Sequence, residues 1–505
     1  MRKKEAPIPP GRGKHIIMDK RIRCAYNKSC SSLKKLFYIH RKESMKNAMT
    51  RKREIDLTQG RIFPQMVRFF VPIWCGIVFQ QIYVTADAVI ISKVVGESAL
   101  AAVGCTTTFI NLLIGFFTGI GSGATVVIAQ YFGAREHSMV RKATHTALVL
   151  AFIIGLCFLI LGLLISPWLL HLLQTPADIF DMALRYLRVY SLGMIFSVVY
   201  NMGSGILRAV GDARRPVYIL VATVVINIFL DLLFTAVIRL GVGGAALATI
   251  LSQAIAMILV LACLYREREL PIQLRFRELR PDFRLLWRIT RIGLPTGIQS
   301  TMFDLSNLLI QASVNFFGTS TITAWTAYSN ISLLFWMSVS AMGTTMTTFT
   351  GQNFGAGNLD RLRRGVRTGI ALAAAGCLII TLLTILFRYP LTHLFATDPE
   401  VVQICIRMIL FLTPTYITYM CIELFSGVIR GAGEALVPMI ITGSSICLFR
   451  VVWVVWILPL HNTLDMICLS YPISWCIGTV AFLIYYKKGK WLTKRLPAAE
   501  PSKSN

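Results

Sequence analysis

GILRAVGDARRP, residues Gly205–Pro216, returns 222 positions later as GVIRGAGEALVP, residues Gly427–Pro438. The same offset relates AQYFGA (Ala129–Ala134) to GQNFGA (Gly351–Ala356), and HLLQTP (His171–Pro176) to HLFATD (His393–Asp398). Three separated matches at one spacing define a duplicated unit. Each copy holds six apolar stretches long enough to span a bilayer core, which takes about 20 helical residues. The twelve stretches run approximately over 66–91, 105–130, 143–166, 182–207, 217–237, 243–265, 289–313, 323–349, 366–388, 404–429, 437–457 and 463–486. An even number per copy gives both the same orientation. That is a parallel repeat about an axis along the membrane normal, with the binding region expected between the halves.

Composition agrees with this reading. Only 15% of the 505 residues are charged and mean hydropathy is +0.64, whereas a soluble chain carries about a quarter charged residues. The net charge of +27 raises nucleic acid as a partner, and its distribution argues against that. Basic residues gather in the first 65 positions and in alternate loops: Arg135, Arg141 and Lys142; Arg208, Arg214 and Arg215; eight arginines from Arg266 to Arg291; Arg361, Arg363, Arg364 and Arg367; Arg430; and the tail from Lys487. The opposite loops, TPADIFD (Thr175–Asp181) and ATDPE (Ala396–Glu400), are acidic. Short basic loops stay inside, so both termini are expected in the cytoplasm of a multi-pass plasma (inner) membrane protein. The partners expected are membrane lipid and small molecules, with the chain acting as a monomer.

Residues 1–60 have neither the apolar core nor the cleavage site of a signal peptide. They are expected to be a disordered basic extension that binds anionic lipid; a start at Met45 or Met49 would give a more ordinary layout. Residues 61–265 form the first lobe (helices 1–6), 266–288 a cytoplasmic linker, 289–488 the second lobe (helices 7–12) and 489–505 a tail. Within the linker region, DFRLLWRITR (Asp282–Arg291) predicts an amphipathic helix on the membrane surface. Twelve cysteines without a CxxC read as reduced packing residues. With no P-loop and no metal-spaced His/Cys cluster, neither ATP nor a cofactor nor an enzymatic reaction is expected. Gly115, Gly119 and Gly123 predict close helix packing.

Polar residues inside the spans carry the function. A carboxylate at the bilayer centre costs ~2.5–3.5 kcal/mol and persists only with partners or a role. In NIFLDLLF (Asn227–Phe234), Asn227 and Asp231 share one helical face. The first span carries Asp87, with Gln80 and Tyr83 on its stripe, and the sixth carries Thr249. Counting rise per residue puts Asp87, Asp231 and Thr249 at a similar depth in the outer half. Two carboxylates, an amide and a hydroxyl suit Na⁺ or a proton; the alternative is a hydrogen-bonded packing cluster. In the second half, Ser300, Asp304, Asn307 and Gln311 stripe the seventh span, and Tyr416, Tyr419, Glu423 and Ser426 the tenth. Such faces predict a water-filled cavity. Glu423 occupies the repeat position of Asn201, and Glu423 with Arg450 is a candidate buried pair.

Over roughly residues 55–488 the chain resembles the multidrug and toxic compound extrusion (MATE) transporters. The resemblance rests on DLTQG before the first span, TADAVII around Asp87, AQYFGA, and GILRAVGDARRPV leading into NIFLD. It implies an all-α integral membrane protein of twelve transmembrane helices, in two six-helix lobes forming a V around a cavity. It also implies antiport, in which inward Na⁺ or H⁺ drives export of lipophilic, often cationic compounds. Asp87, Asn227, Asp231 and Thr249 match a first-lobe cation site of one branch, and Asn201 is carried over to the same network. Asp304 resembles the first of two second-lobe acids of another branch, while Glu423 falls about one turn from the second. Substrate is expected against Gln80, Tyr83, Asp304, Asn307, Gln311, Tyr416, Tyr419 and Glu423. The rival readings are a lipid-linked oligosaccharide flippase of the wider superfamily and a membrane scaffold or receptor without transport. A major-facilitator transporter is a third, but FGAREHSMVRKA (Phe132–Ala143) lacks its signature.

Overall fold

Residues 56–489 and 491–492 are described by the computed structural model. The expectations for the basic extension, up to residue 55, and for most of the tail lie outside them. Twelve long helices follow in order. The first lobe comprises α1 (Ile62–Ile90), α2 (Glu97–Gly133), α3 (His137–Leu172), α4 (Ala177–Ala209), α5 (Arg214–Leu232) and α6 (Val242–Arg266). The second comprises α7 (Phe283–Val314), α8 (Thr319–Gly355), α9 (Leu359–Leu386), α10 (Pro399–Gly431), α11 (Leu436–Leu460) and α12 (Leu464–Lys488). A single 3₁₀ turn interrupts α10 at Thr413–Thr415. The two six-helix lobes form a V-shaped bundle.

Ten of these helices are long and apolar enough to cross a membrane. The exceptions, α7 and α8, have a physical reason. Arg284, Arg288 and Arg291 open α7, Asp304 follows, and α8 is rich in serine and threonine. α8 buries much of that polarity against protein, while Arg284 and Arg291 of α7 are exposed. α7 lies along α2, where a Cβ on Gly119 would stand 2.3 Å from the Gly297 nitrogen and one on Gly123 2.4 Å from the Ile289 oxygen. The spaced glycines Gly119 and Gly123 of α2 thus form one of the contacts between the lobes. The amphipathic piece is not a separate surface helix. Asp282 caps α7, its carboxylate accepting from the amides of Arg284 (3.0 Å) and Leu285 (3.1 Å), and no residue breaks the helix before it enters the bundle. Upstream, the connecting chain packs on α3: the Arg275 amide donates to His145 (3.1 Å) and the Asp282 amide to Thr146 (3.1 Å).

The repeated motifs are explained by helix ends. Gly211 and Gly433, 222 residues apart, both adopt positive φ (92° and 91°) where α4 and α10 stop, a conformation that glycine alone enters without steric cost. One residue on, Asp212 is buried and accepts from the amides of Arg214 (3.0 Å) and Arg215 (3.1 Å), capping α5. Its other oxygen pairs with the Arg215 guanidinium, which also reaches Glu267 at 2.6 Å. DLTQG is tied down similarly: Arg361 of α9 donates to the carbonyls of Leu57, Gln59 and Gly60 at 2.7–3.0 Å. Asp212→Ala is expected to lower stability by about 2 kcal/mol, because a cap and a partly solvated ion pair are lost together. Thermal unfolding checks this, and Asp212→Asn should retain roughly half the loss as cap. An unchanged midpoint in the alanine variant would contradict the assignment.

Candidate cation site and inter-lobe cavity

The first-lobe polar residues meet inside the bundle. Asn227 and Asp231 are buried on α5, and Thr249 on α6. The Tyr83 hydroxyl of α1 lies 3.2 Å from the Thr249 hydroxyl. Asp87 lies one turn along α1 from Tyr83, and α1 packs along α5, the helix that carries Asp231. Five side-chain atoms here are buried without any hydrogen-bond partner: Oδ1 of Asp87, Oδ1 and Nδ2 of Asn227, and both carboxylate oxygens of Asp231. An unsatisfied buried polar atom costs about 1–3 kcal/mol, more when charged. Four of the five are oxygens that could accept from a proton donor or ligate a small hard cation. Among the described residues no group of three His, Cys, Asp or Glu side chains assembles, so the set is two carboxylates with neutral oxygens.

Three features of this region escape a reading of the sequence. Tyr186 and Tyr190 of α4 stack on each other at 6.0 Å, and look like ordinary apolar positions in the string. Gln253, one turn beyond Thr249, has a buried Oε1 without a partner. Both acid-bearing helices also widen into π turns just past the acids, at Ile91–Val95 and Leu233–Val237, a distortion frequent at functional sites. Only the π turns lack any sequence signal.

The remaining candidates divide. Tyr83 lies beside Thr249 in the first lobe. Gln80 is exposed, and Gln311 is half-buried and bonded to Asn315 at 3.1 Å. Tyr416 and Tyr419 lie inside the second lobe: the Tyr416 ring stacks on Phe335 at 3.9 Å with its hydroxyl on Tyr328 (2.9 Å), and Tyr419 packs edge-on to Trp336 at 4.8 Å. Their stripe faces neighbouring helices instead of water, because aromatic rings fill the space between α8, α10 and α12. Asp304 approaches α2, its Oδ2 3.2 Å from where a Cβ on Gly115 would stand. Asn307 accepts from Arg450 at 3.2 Å, and the Arg450 guanidinium covers the Tyr471 ring at 3.9 Å. Glu423 therefore does not pair with Arg450. Its partner is Arg430, at 3.3 Å on the same helix.

Asn201 is also elsewhere. It donates to the Ser197 carbonyl (2.9 Å) and lines a polar cavity of about 260 Å³ between the lobes. Glu423, Arg430 and Arg208 line the same cavity. The repeat governs its walls: Ser122 and Thr344, Thr125 and Thr347, Asn201 and Glu423, Arg208 and Arg430 all face it, each pair 222 residues apart. Arg208 and Arg430, read in the sequence as loop charges, are helical and turned into the protein, since α4 and α10 each run past them.

Beyond this cavity the lobes lock at the basic end. Gln130 of AQYFGA donates to the Gly431 carbonyl (2.9 Å), and Gln352 of GQNFGA to the Ala209 carbonyl (2.8 Å). A Cβ on Gly133 would stand 1.9 Å from the Gln352 carbonyl oxygen, and one on Gly355 1.9 Å from that of Gln130. Arg288 of α7 closes the corner, bonding Gln130 (2.7 Å) and Tyr131 (2.8 Å).

A duplicated twelve-helix bundle with a buried two-acid cluster and an axial cavity has known counterparts. The chain matches the MatE family over residues 72–233 and again over 295–456; it belongs to that family of membrane transporters. It is 28% identical over 447 residues to the probable multidrug resistance protein YoeA of Bacillus subtilis, covering 86% of this chain and 96% of that one. The probable multidrug resistance protein NorM of Thermotoga maritima is 25% identical over 440 residues, covering 85% and 92%. Among solved structures, a MOP superfamily transporter from Pyrococcus furiosus superposes with a TM-score of 0.81 at 25% identity, covering 88% of this chain and 99% of that one.

Proposed function

We propose that the chain exports lipophilic, often cationic organic compounds from the cell in exchange for Na⁺ or H⁺ moving inward. The observation that carries this reading is the set of partnerless buried oxygens on Asp87, Asn227 and Asp231. A cation or proton entering there neutralises two neighbouring acids and favours whichever lobe arrangement brings them together. Ligands shift a two-state equilibrium only through such differential binding. The helix that carries Asp87 also touches the other lobe: Trp74 of α1 donates to Ser338 of α8 at 3.0 Å. Occupancy of the first lobe thereby reaches the interface between lobes. The basic loops set the locked end in the cytoplasm, with both termini there, so this arrangement opens outward. The multidrug names of the relatives support drug-like cargo.

The test is efflux of a fluorescent organic cation from vesicles holding the purified protein, with Na⁺ and pH gradients imposed separately. Efflux under one gradient is expected and names the ion. No efflux under either, with protein correctly inserted, overturns antiport.

A further inference from the structure

We propose that the axial cavity between Arg208 and Arg430 binds an oxyanion, a phosphate or carboxylate group, at the base of the transport cleft. It rests on the transporter reading only for what carries that group.

The charges are the first argument. Two guanidinium groups and one carboxylate line the cavity. Glu423 is engaged by Arg430, and no carboxylate among the described residues pairs with Arg208. The Nε atoms of both arginines are buried without a hydrogen-bond partner. A buried guanidinium nitrogen with its donor unused is costly, and an oxyanion with its several lone pairs is the partner that fits a planar donor fork.

The hydroxyl groups point the same way. Thr125 and Thr347 donate to carbonyls of their own helices, at 3.1 and 2.8 Å. Ser122, Ser340 and Thr344, which also face the cavity, have no such bond and keep their hydrogens for a ligand. With the two guanidinium groups, these hydroxyls give the wall a surplus of donors that an anion can use.

Close helix crossings bring both arginines to the axis. Three residues before each is a glycine whose Cβ would strike the facing helix: Gly205 against Thr125 Oγ1 at 2.7 Å, and Gly427 against the Gly343 carbonyl at 2.7 Å. The repeat is broken at one point, and the break leaves room. A Cβ on Gly343 would meet Glu423 at 2.4 Å, whereas one on its counterpart Gly121 meets nothing within 4 Å. At about 260 Å³ the cavity holds a head group but falls below the usual size of a drug site. The rest of a carried molecule would extend up the cleft.

The experiment is equilibrium binding of inorganic phosphate to the full-length purified protein in detergent, read by calorimetry and by the phosphate-dependent rise in melting temperature. Wild type should bind saturably. Arg208→Gln and Arg430→Gln should each weaken binding by at least about tenfold, and Arg208→Lys should retain part of it. The rise is compared with each variant's own phosphate-free midpoint, so altered folding does not mimic the result. Repeating the titration in nanodiscs with and without phosphatidic acid separates the sources: competition assigns the site to a lipid head group, no competition to a soluble anion. Absence of saturable binding in wild type, or wild-type affinity retained in both glutamine variants, overturns the proposal. Because no gradient is involved, phosphate binding stands or falls independently of cation-driven efflux.

Discussion

Valine at Gly133 or Gly355 is expected to hold the bundle open at its basic end and to reduce export by roughly 100-fold. Each added Cβ would stand 1.9 Å from a backbone carbonyl oxygen of the other lobe. A backbone atom inside a helix has no rotamer to yield, so the lobes must separate. Overpacking of this kind costs about 1–3 kcal/mol or more, and 3 kcal/mol displaces a two-state equilibrium by roughly 100-fold. Parting the lobes also strains the bonds from Gln130 to Gly431 and from Gln352 to Ala209. The measurement is the distance between spin labels at Ser138 and Asp360, exposed positions 222 residues apart beside the lock, in a background without other reactive cysteines. A longer distance in both valine variants is expected. Gly376→Ala, where an added Cβ meets nothing, should leave distance and export unchanged. Native distances in the valine variants would remove the lock from the mechanism.

Asp231→Asn should abolish ion-driven export, by at least about 100-fold, while leaving the protein as stable as wild type or more so. The two effects separate function from packing. Both Asp231 oxygens are buried and unpartnered, so the carboxylate is a burden on the fold, of the order of the ~2.5–3.5 kcal/mol that a central charge costs in a membrane. An amide of the same shape removes the charge and most of that cost. It also removes the differential cation binding on which alternation depends. Vesicle efflux and thermal unfolding, measured together, decide the matter. A destabilised variant with intact coupling would mark Asp231 as a structural residue. Asp304→Asn, outside the first-lobe cluster, should retain most of the coupling.

The sequence by itself determined the architecture and the region of the acids. Twelve spans and a 222-residue duplication are legible because hydropathy and repetition are properties of the string, and so is a carboxylate such as Asp231 inside an apolar run. Direction was legible only locally. Tyr83, Asp87, Asn227, Asp231 and Thr249 come from three helices whose order and depth suffice to bring them together. Asn201, carried into that network by the resemblance, lies instead at the axial cavity. Tyr416 and Tyr419 show the limit of a polar stripe: helical spacing says which side chains share a face, but the facing element decides whether water or another ring meets it. The inward turn of Arg208 and Arg430, and the choice of Arg430 over Arg450 by Glu423, depend on helix rotation and on crossings set by Gly205, Gly343 and Gly427. Those are relations between elements distant in sequence, and only tertiary packing decides them.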